Sequence, residues 1–498
     1  MKYISTRDKN IEYDGLHAVL AGMAPDGGLF LPESFENIEF DWKKAVCAGS
    51  TQEIAEAVIG SLLPDFDDMR ELVKKAYSGK FETEELTPLV KVGDKYVLEL
   101  FRGPTSAFKD VALSMLPQLM QAAKAKAGDK GKTMILTATS GDTGKAALEG
   151  FHDVPGVGII VFFPHGGVSE VQKLQMVTQV GGNVHVCAIK GNFDDAQTAV
   201  KKVFDLGAND AKVKADLAAT NTALSSANSI NIGRLAPQLT YYFKAYGDLV
   251  KQGRIGLGDK VDFSVPTGNF GDILAGYFAK CLGLPIGRLI CASNANNVLT
   301  DFLTTGVYNK KRPFIKTTSP SMDILVSSNL ERMLYLASGG DTTAVAGWME
   351  DLKAKGEYRV SGQALKNLQD TYYAAYCDDN AAARTIADVF KSHNYVCDTH
   401  TAVAWNAAEK YAAEQGSGET PMVVLSTASP YKFPLAVLSA LEGKEPACDE
   451  FEAMERLSKL SGTKIPQGLA GLREKEILHK DVIEKDEITS YVLSKIKD

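Results

Sequence analysis

The 498 residues are 45% hydrophobic and 23% charged, and 54 basic against 62 acidic side chains leave a formal charge of −8. At roughly 150 residues per domain the length predicts two to four soluble domains, and the acidic, unclustered balance argues against a nucleic-acid binder. No stretch reaches the roughly 18 uninterrupted apolar residues of a membrane span. Seven cysteines without a C-x-x-C pair argue against a disulfide framework or zinc ribbon and fit a reducing cytoplasm.

The opening MKYISTRDKNIEYDG is polar and lacks the apolar stretch of a secretion leader. Residues 1–85 show no strand–helix alternation and read as a mostly helical N-terminal cap. A regular pattern then sets in. Thr133–Thr139 reads as a strand, the turn Ser140–Gly144 (SGDTG) follows, and Lys145–Phe151 reads as a helix. Strand Val157–Phe163 precedes a helix at Ser169–Val180, and strand Val184–Ile189 precedes one at Asp194–Leu206. Strand Val261–Val265 leads through Pro266–Asp272 (PTGNFGD) into a helix ending near Leu282, with further strands at Arg288–Ala292 and Met422–Leu425. Such alternation predicts an α/β fold with parallel sheets covered on both faces. The expected limits are 1–85 for the cap, 86–112 with 236–447 for a large α/β domain, 113–235 for a small α/β domain, and 448–498 for a C-terminal extension. Lys310–Ser321, basic and rich in turn residues, is expected to interrupt the second sheet.

Open α/β sheets bind ligands beyond the C-terminal ends of their strands, so both glycine turns are candidate sites. In PTGNFGD, glycines flank Asn269–Phe270 at a strand-to-helix junction, where backbone N–H groups can receive a phosphate. A plain tight turn would look the same, and the pattern is neither G-x-G-x-x-G nor a P-loop. SGDTG offers hydroxyls and amides to a carboxylate, but Asp142 would repel that anion, and capping of the helix by Asp142 or Thr143 accounts for the turn equally well. Lys109, in RGPTSAFKD, is either a solvated surface charge or a desolvated lysine facing a cofactor aldehyde.

Taken together, GPTSAFKD, SGDTG, PTGNFGD and STASPYKF resemble the threonine synthase family, within the tryptophan-synthase-β-like (fold type II) pyridoxal-phosphate enzymes. The likeness covers almost the whole chain, with MKYISTRDKN, LAGMAPDGGLFLPE, SSANSINIGRLAPQ, TTSPSMDILVSSNLER and DTHTAVA in the family's order. It implies a fold with two α/β domains and pyridoxal 5'-phosphate as cofactor. Lys109 then holds the cofactor as a Schiff base, Gly268, Asn269, Phe270 and Asp272 form the loop for its phosphate, and Thr427, with Ser426 beside it, faces the pyridine nitrogen. Ser140, Gly141, Asp142 and Thr143 match the turn for the substrate carboxylate or the ring edge.

The implied reaction converts O-phospho-L-homoserine and water to L-threonine and phosphate, with Lys109 shuttling protons. The dianionic substrate phosphate calls for local cations: Arg234 first and Lys145 second, with Asn228, Ser229 and Asn231 as hydrogen-bond donors. A surface salt bridge is the plain alternative for Arg234. Three segments depart from the family pattern: Lys145 after SGDTG, Ser429 and Tyr431 in STASPYKF, and the missing proline in CDTHTAVA. Cys397, Asp398 and His400, with His393 nearby, fit no common zinc spacing, and a packed strand–helix corner is the better reading; no metal is expected. The competing functions are a serine or threonine dehydratase, a β-replacing synthase, and a ligand-binding relative without turnover. No nucleic-acid or membrane partner is expected, and the chain is expected to be a cytoplasmic monomer.

Overall fold

Runs of valine, isoleucine, leucine and phenylalanine, buried on both faces, build two sheets. The computed structural model describes every residue except Ser140, Ser417, Glu419 and Asp498, and the side chains of Phe193 and Asp194. The larger sheet has six strands in the order Tyr372–Tyr376, Ile286–Ser293, Val261–Pro266, Met422–Ser426, Lys95–Glu99 and Leu89–Val92. All its pairings are parallel except the last. The smaller sheet has five parallel strands in the order Asp481–Glu484, Val184–Lys190, Val157–Pro164, Lys132–Ala138 and Thr222–Ser225.

Each strand expected from the sequence is present, with ends moved by two residues at most. Five strands of these sheets gave no sequence signal: Leu89–Val92, Lys95–Glu99, Thr222–Ser225, Tyr372–Tyr376 and Asp481–Glu484. All five are at most five residues long, too short for a buried run to stand out, and four lie at a sheet edge. The N-terminal segment also differs from a purely helical cap. Alongside the helices Gly15–Ala21, Trp42–Val46, Thr51–Leu62 and Met69–Tyr77 it folds an antiparallel sheet of Glu12–Asp14, Lys2–Ser5 and Phe30–Pro32.

The C-terminal residues complete the smaller sheet. Asp481–Glu484 pairs beside Val184–Lys190, and the helix Ile488–Lys495 buries Ile488 and Val492 in the core shared by Leu136, Ile160, Phe162 and Ile189. Lys310–Ser319 carries no helix or strand, between the short strand Val307–Asn309 and the 3-10 turn Pro320–Met322. Among the described residues no helix is long and apolar enough to cross a membrane.

Candidate active site

Three neighbouring parallel strands of the larger sheet, Lys95–Glu99, Met422–Ser426 and Val261–Pro266, lead at their C-terminal ends into GPTSAFKD, STASPYKF and PTGNFGD. In the smaller sheet the neighbouring strands Lys132–Ala138 and Thr222–Ser225 lead into SGDTG and SSANSINIGR. Parallel pairing thus gathers blocks hundreds of residues apart at the strand ends where ligands bind.

Lys109 opens the helix Lys109–Lys126. Its approach is held by Ser106 in the left-handed region (φ 59°), by Asp110 accepting from Thr105 N at 2.9 Å, and by Phe108 N donating to Thr427 O at 2.8 Å. The amine lies 4.0 Å from Asp142 Oδ2 and 5.1 Å from the Phe108 ring centroid, and it donates no hydrogen bond among the described residues. Burial pulls it down to about 8; Asp142 opposes that pull, while Lys432 and Arg234 add to it. The solvated-surface reading of Lys109 does not hold: its side chain is only 12% exposed.

In PTGNFGD the left-handed residue is Phe270 (φ 63°), not a glycine, and its ring is buried against Tyr372. Gly268 serves close approach instead, since a Cβ there would sit 3.2 Å from both Met322 Cα and Ser321 O. Ser327 Oγ donates to Gly268 O at 2.7 Å, and Asn329 N and Nδ2 donate to Asn269 O at 3.0 and 3.1 Å. With the carbonyls engaged, the N–H groups of Gly268, Asn269, Phe270 and Gly271 have no acceptor among the described residues, at the start of the helix Gly271–Cys281. The free N–H row and the helix dipole together favour an anion. Asp272 lies underneath, with Oδ1 accepting from Tyr241 OH at 2.6 Å and Tyr242 OH at 3.1 Å, and a buried Oδ2 without a partner among the described residues. Burial raises its carboxyl to about 7, although the two tyrosines and Lys109 pull the other way.

Ser426 and Thr427 part company. The Ser426 hydroxyl bonds Thr401 Oγ1 at 2.8 Å, whereas the buried Thr427 hydroxyl has no partner among the described residues. Of the two hydroxyls, that of Thr427 is the one left open among the described residues.

In SGDTG, Ser140 lies outside the described residues. Gly141 occupies the N-cap position of the helix Asp142–Phe151 at φ 140°, where a Cβ would come within 2.4 Å of Gln172. The first turn is capped by Thr139, whose Oγ1 accepts from Gly141 N at 2.9 Å and Gly144 N at 3.0 Å, so capping by Asp142 or Thr143 is corrected. Asp142 turns to other partners: Oδ1 meets Lys432 Nζ at 2.7 Å and Gln172 Nε2 at 3.1 Å, and Oδ2 meets Ser321 Oγ at 3.2 Å. Burial alone would raise this carboxyl, but Lys432 and then Lys109 override it and hold it well below the usual carboxylate range. Thr143 stands half-buried in the first turn, and neither Asp142 N nor Thr143 N has an acceptor among the described residues.

The remaining candidates divide. Arg234 is buried, donates NH1 to Ala227 O at 2.7 Å, leaves Nε without a partner, and has no carboxylate within salt-bridge distance among the described residues. A surface salt bridge is therefore not its role, and burial lowers even this guanidinium to about 10. Asn228 is exposed, and Ser229 holds the site wall through its carbonyl, which accepts from Asn329 Nδ2 at 3.2 Å. Two expectations are corrected. Asn231 has both amide atoms occupied, Oδ1 by Gly233 N and Nδ2 by Val19 O, so it caps a short helix. Lys145 is engaged by Glu149 at 2.9 Å and by Gln179, so it is a structural cation.

Sequence reasoning missed Lys432, Ser321, Asn329 and the Tyr241–Tyr242 pair. A signal existed for Lys432, which sits in the apolar and aromatic run SPYKFPLAV, where a lysine must find a partner. The Cys397–His400 corner holds no metal-ligand cluster among the described residues. Asp398 instead caps the helix Thr399–Gln415 and bonds His400 Nδ1 at 2.7 Å, while His400 Nε2 accepts from Ser321 N at 3.2 Å.

Residues 2–77 match the family model "Threonine synthase N terminus", residues 82–427 "Pyridoxal-phosphate dependent enzyme", and residues 401–487 "Threonine synthase, C-terminal". Threonine synthase from Pseudomonas aeruginosa is 40% identical over 92% of this chain and 96% of that protein. "Threonine synthase-like 1" from Homo sapiens is 38% identical over 86% of this chain, which spans only 58% of that longer protein. A solved structure of PLP-bound threonine synthase from Brucella melitensis superposes with a TM-score of 0.86 at 38% identity, covering 100% of both chains. An amine, a row of free amides and an open hydroxyl at the ends of adjacent parallel strands accord with these matches, and the chain belongs to the threonine synthase family of pyridoxal-phosphate-dependent enzymes.

Proposed function

We propose that the chain converts O-phospho-L-homoserine and water to L-threonine and inorganic phosphate. The observation that carries the reading is the Lys109 amine, buried and without a hydrogen bond among the described residues, near N–H donors that have no acceptor among them. Three features fit pyridoxal phosphate: Lys109 for its aldehyde, the Gly268–Gly271 amides for its phosphate, and Thr427 for its ring nitrogen. When bound, that cofactor draws electron density from the carbons next to the amine it carries, which makes their protons removable. Lys109 Nζ, near neutrality at about 8, takes the proton from Cα and is placed to pass protons at Cβ and Cγ. The Cγ–O bond to phosphate breaks, a C–O bond to water forms at Cβ, and Cγ ends as a methyl group.

The substrate phosphate is assigned to Arg234, with Asn228 and Ser229 beside it, and the carboxylate to the turn Gly141–Thr143. Seven free cysteines support a reducing compartment such as the cytoplasm. The test is phosphate release from O-phospho-L-homoserine, set against ammonia release from serine or threonine. Ammonia without phosphate would replace the synthase with a dehydratase. Arg234→Ala is expected to raise KM about tenfold or more with the cofactor still held; an unchanged KM would remove Arg234 from the phosphate site.

A further inference from the structure

Lys432 is fully buried at the end of the 3-10 turn Pro430–Lys432. Its Nζ lies 2.7 Å from Asp142 Oδ1 and donates to Thr105 O at 3.1 Å, so it joins STASPYKF to both SGDTG and the Lys109 loop. A buried ion pair is weak evidence for stability, because apolar side chains of the same volume often serve as well. Its position at the carboxylate turn points to another use. The two unpaired N–H groups and the helix start there supply about half a positive charge. Asp142 brings a full negative charge to the same first turn, so helix and aspartate together repel a carboxylate. Lys109 is the poorer remedy, since its amine lies 4.0 Å from Asp142 Oδ2 and is the group engaged in bonding the aldehyde and moving protons. Gln172 and Ser321 donate to Asp142 but carry no charge. Lys432, in direct contact with Asp142 at 2.7 Å, is the cation among the described residues best placed to reverse the sign.

We propose that Lys432 is the positioning residue that makes the Gly141–Thr143 turn receptive to the substrate carboxylate, by neutralising Asp142 from behind. The proposal rests on the reading that this turn takes the carboxylate. It explains how an aspartate can stand in an anion-binding turn.

The experiment compares O-phospho-L-homoserine with its α-amide on the holoenzymes of the wild type, K432M, D142N and K432M/D142N. The wild type should prefer the acid in KM. K432M should raise KM for the acid about 10- to 100-fold and leave KM for the amide within about threefold. The double variant, with both charges gone, should recover most of the preference for the acid. A preference kept by K432M, or a double variant as defective as K432M, would overturn the assignment to Lys432. A wild type that treats acid and amide alike would overturn the carboxylate reading of the turn, and this proposal with it. Should K432M not fold, the double variant decides, because loss of its preference for the acid overturns the proposal.

Discussion

Asp142 and Asp272 occupy equivalent places in two strand–turn–helix units, each in the first turn of a helix that opens beyond a parallel strand, and both are buried. Their titrations diverge. Asp142 faces Lys432 and Lys109 and is held ionised. Asp272 faces two tyrosine hydroxyls, keeps one bare oxygen, and is raised to about 7. Burial pushes both carboxyls the same way, so the partner decides the outcome. A cation brings the charge back, and a neutral donor does so only in part. One scaffold therefore offers a charged turn on the smaller sheet and a nearly neutral one on the larger.

Lys109→Ala removes the amine that both turns flank, and turnover should fall by at least about 1000-fold, with loss of the visible band of bound cofactor. A band that survives the substitution would break the common centre on which the comparison rests. Next in size is Asp142→Asn, which strands the buried Lys432 ammonium and should lower stability by about 3–5 kcal/mol in urea denaturation at pH 7.

The two aspartates should respond to pH with opposite sign. Asp142, lowered on folding, contributes stability above the ordinary aspartate range that is lost in acid. Asp272, raised to about 7, contributes most at low pH and loses that contribution as pH rises from about 4 to 7. Asp272→Asn should accordingly be more stable relative to wild type at pH 8 than at pH 5, whereas the deficit of Asp142→Asn should be the same at pH 8 and pH 5 and shrink only below about pH 4. Parallel urea midpoints for the two variants would refute the divergence.

For Lys109, capture of pyridoxal phosphate by the apoenzyme should quicken as pH rises through about 8, followed by absorbance. Smallest of all, Lys145→Met should leave KM for O-phospho-L-homoserine within about twofold, since Glu149 and Gln179 already hold that ammonium on the helix side. A tenfold change would return Lys145 to the substrate site.

How much of this was legible in the sequence follows from where the information lies. Long buried strands such as Val157–Pro164 announce themselves by a run of β-branched and aromatic residues, and PTGNFGD and SGDTG by glycines at strand ends. Lys109, Gly268 and Thr427 were reachable because their motifs are local. Partnerships across the fold were not. Nothing near residue 142 in the sequence reveals that Lys432 will lie 2.7 Å away, or that Ser321 and Gln172 will share the same carboxylate. The same holds for Asn231 and Lys145, polar groups in plausible motifs whose capacity is taken up by Val19, Gly233, Glu149 and Gln179. The glycines of PTGNFGD do not show that Phe270 adopts the left-handed backbone while Gly268 makes room.

The strand Asp481–Glu484 bears on how the molecule is made. It closes the smaller sheet beside Val184–Lys190, and Lys190 meets Glu484 across 294 residues of chain. On the ribosome the backbone edge of Val184–Lys190 therefore waits for its neighbour, about 15–60 s at ordinary rates of synthesis. During that interval it is an open template for strands of other nascent chains. A chain interrupted before residue 481 would keep that edge bare, which makes the integrity of the last stretch of message a condition for escaping aggregation.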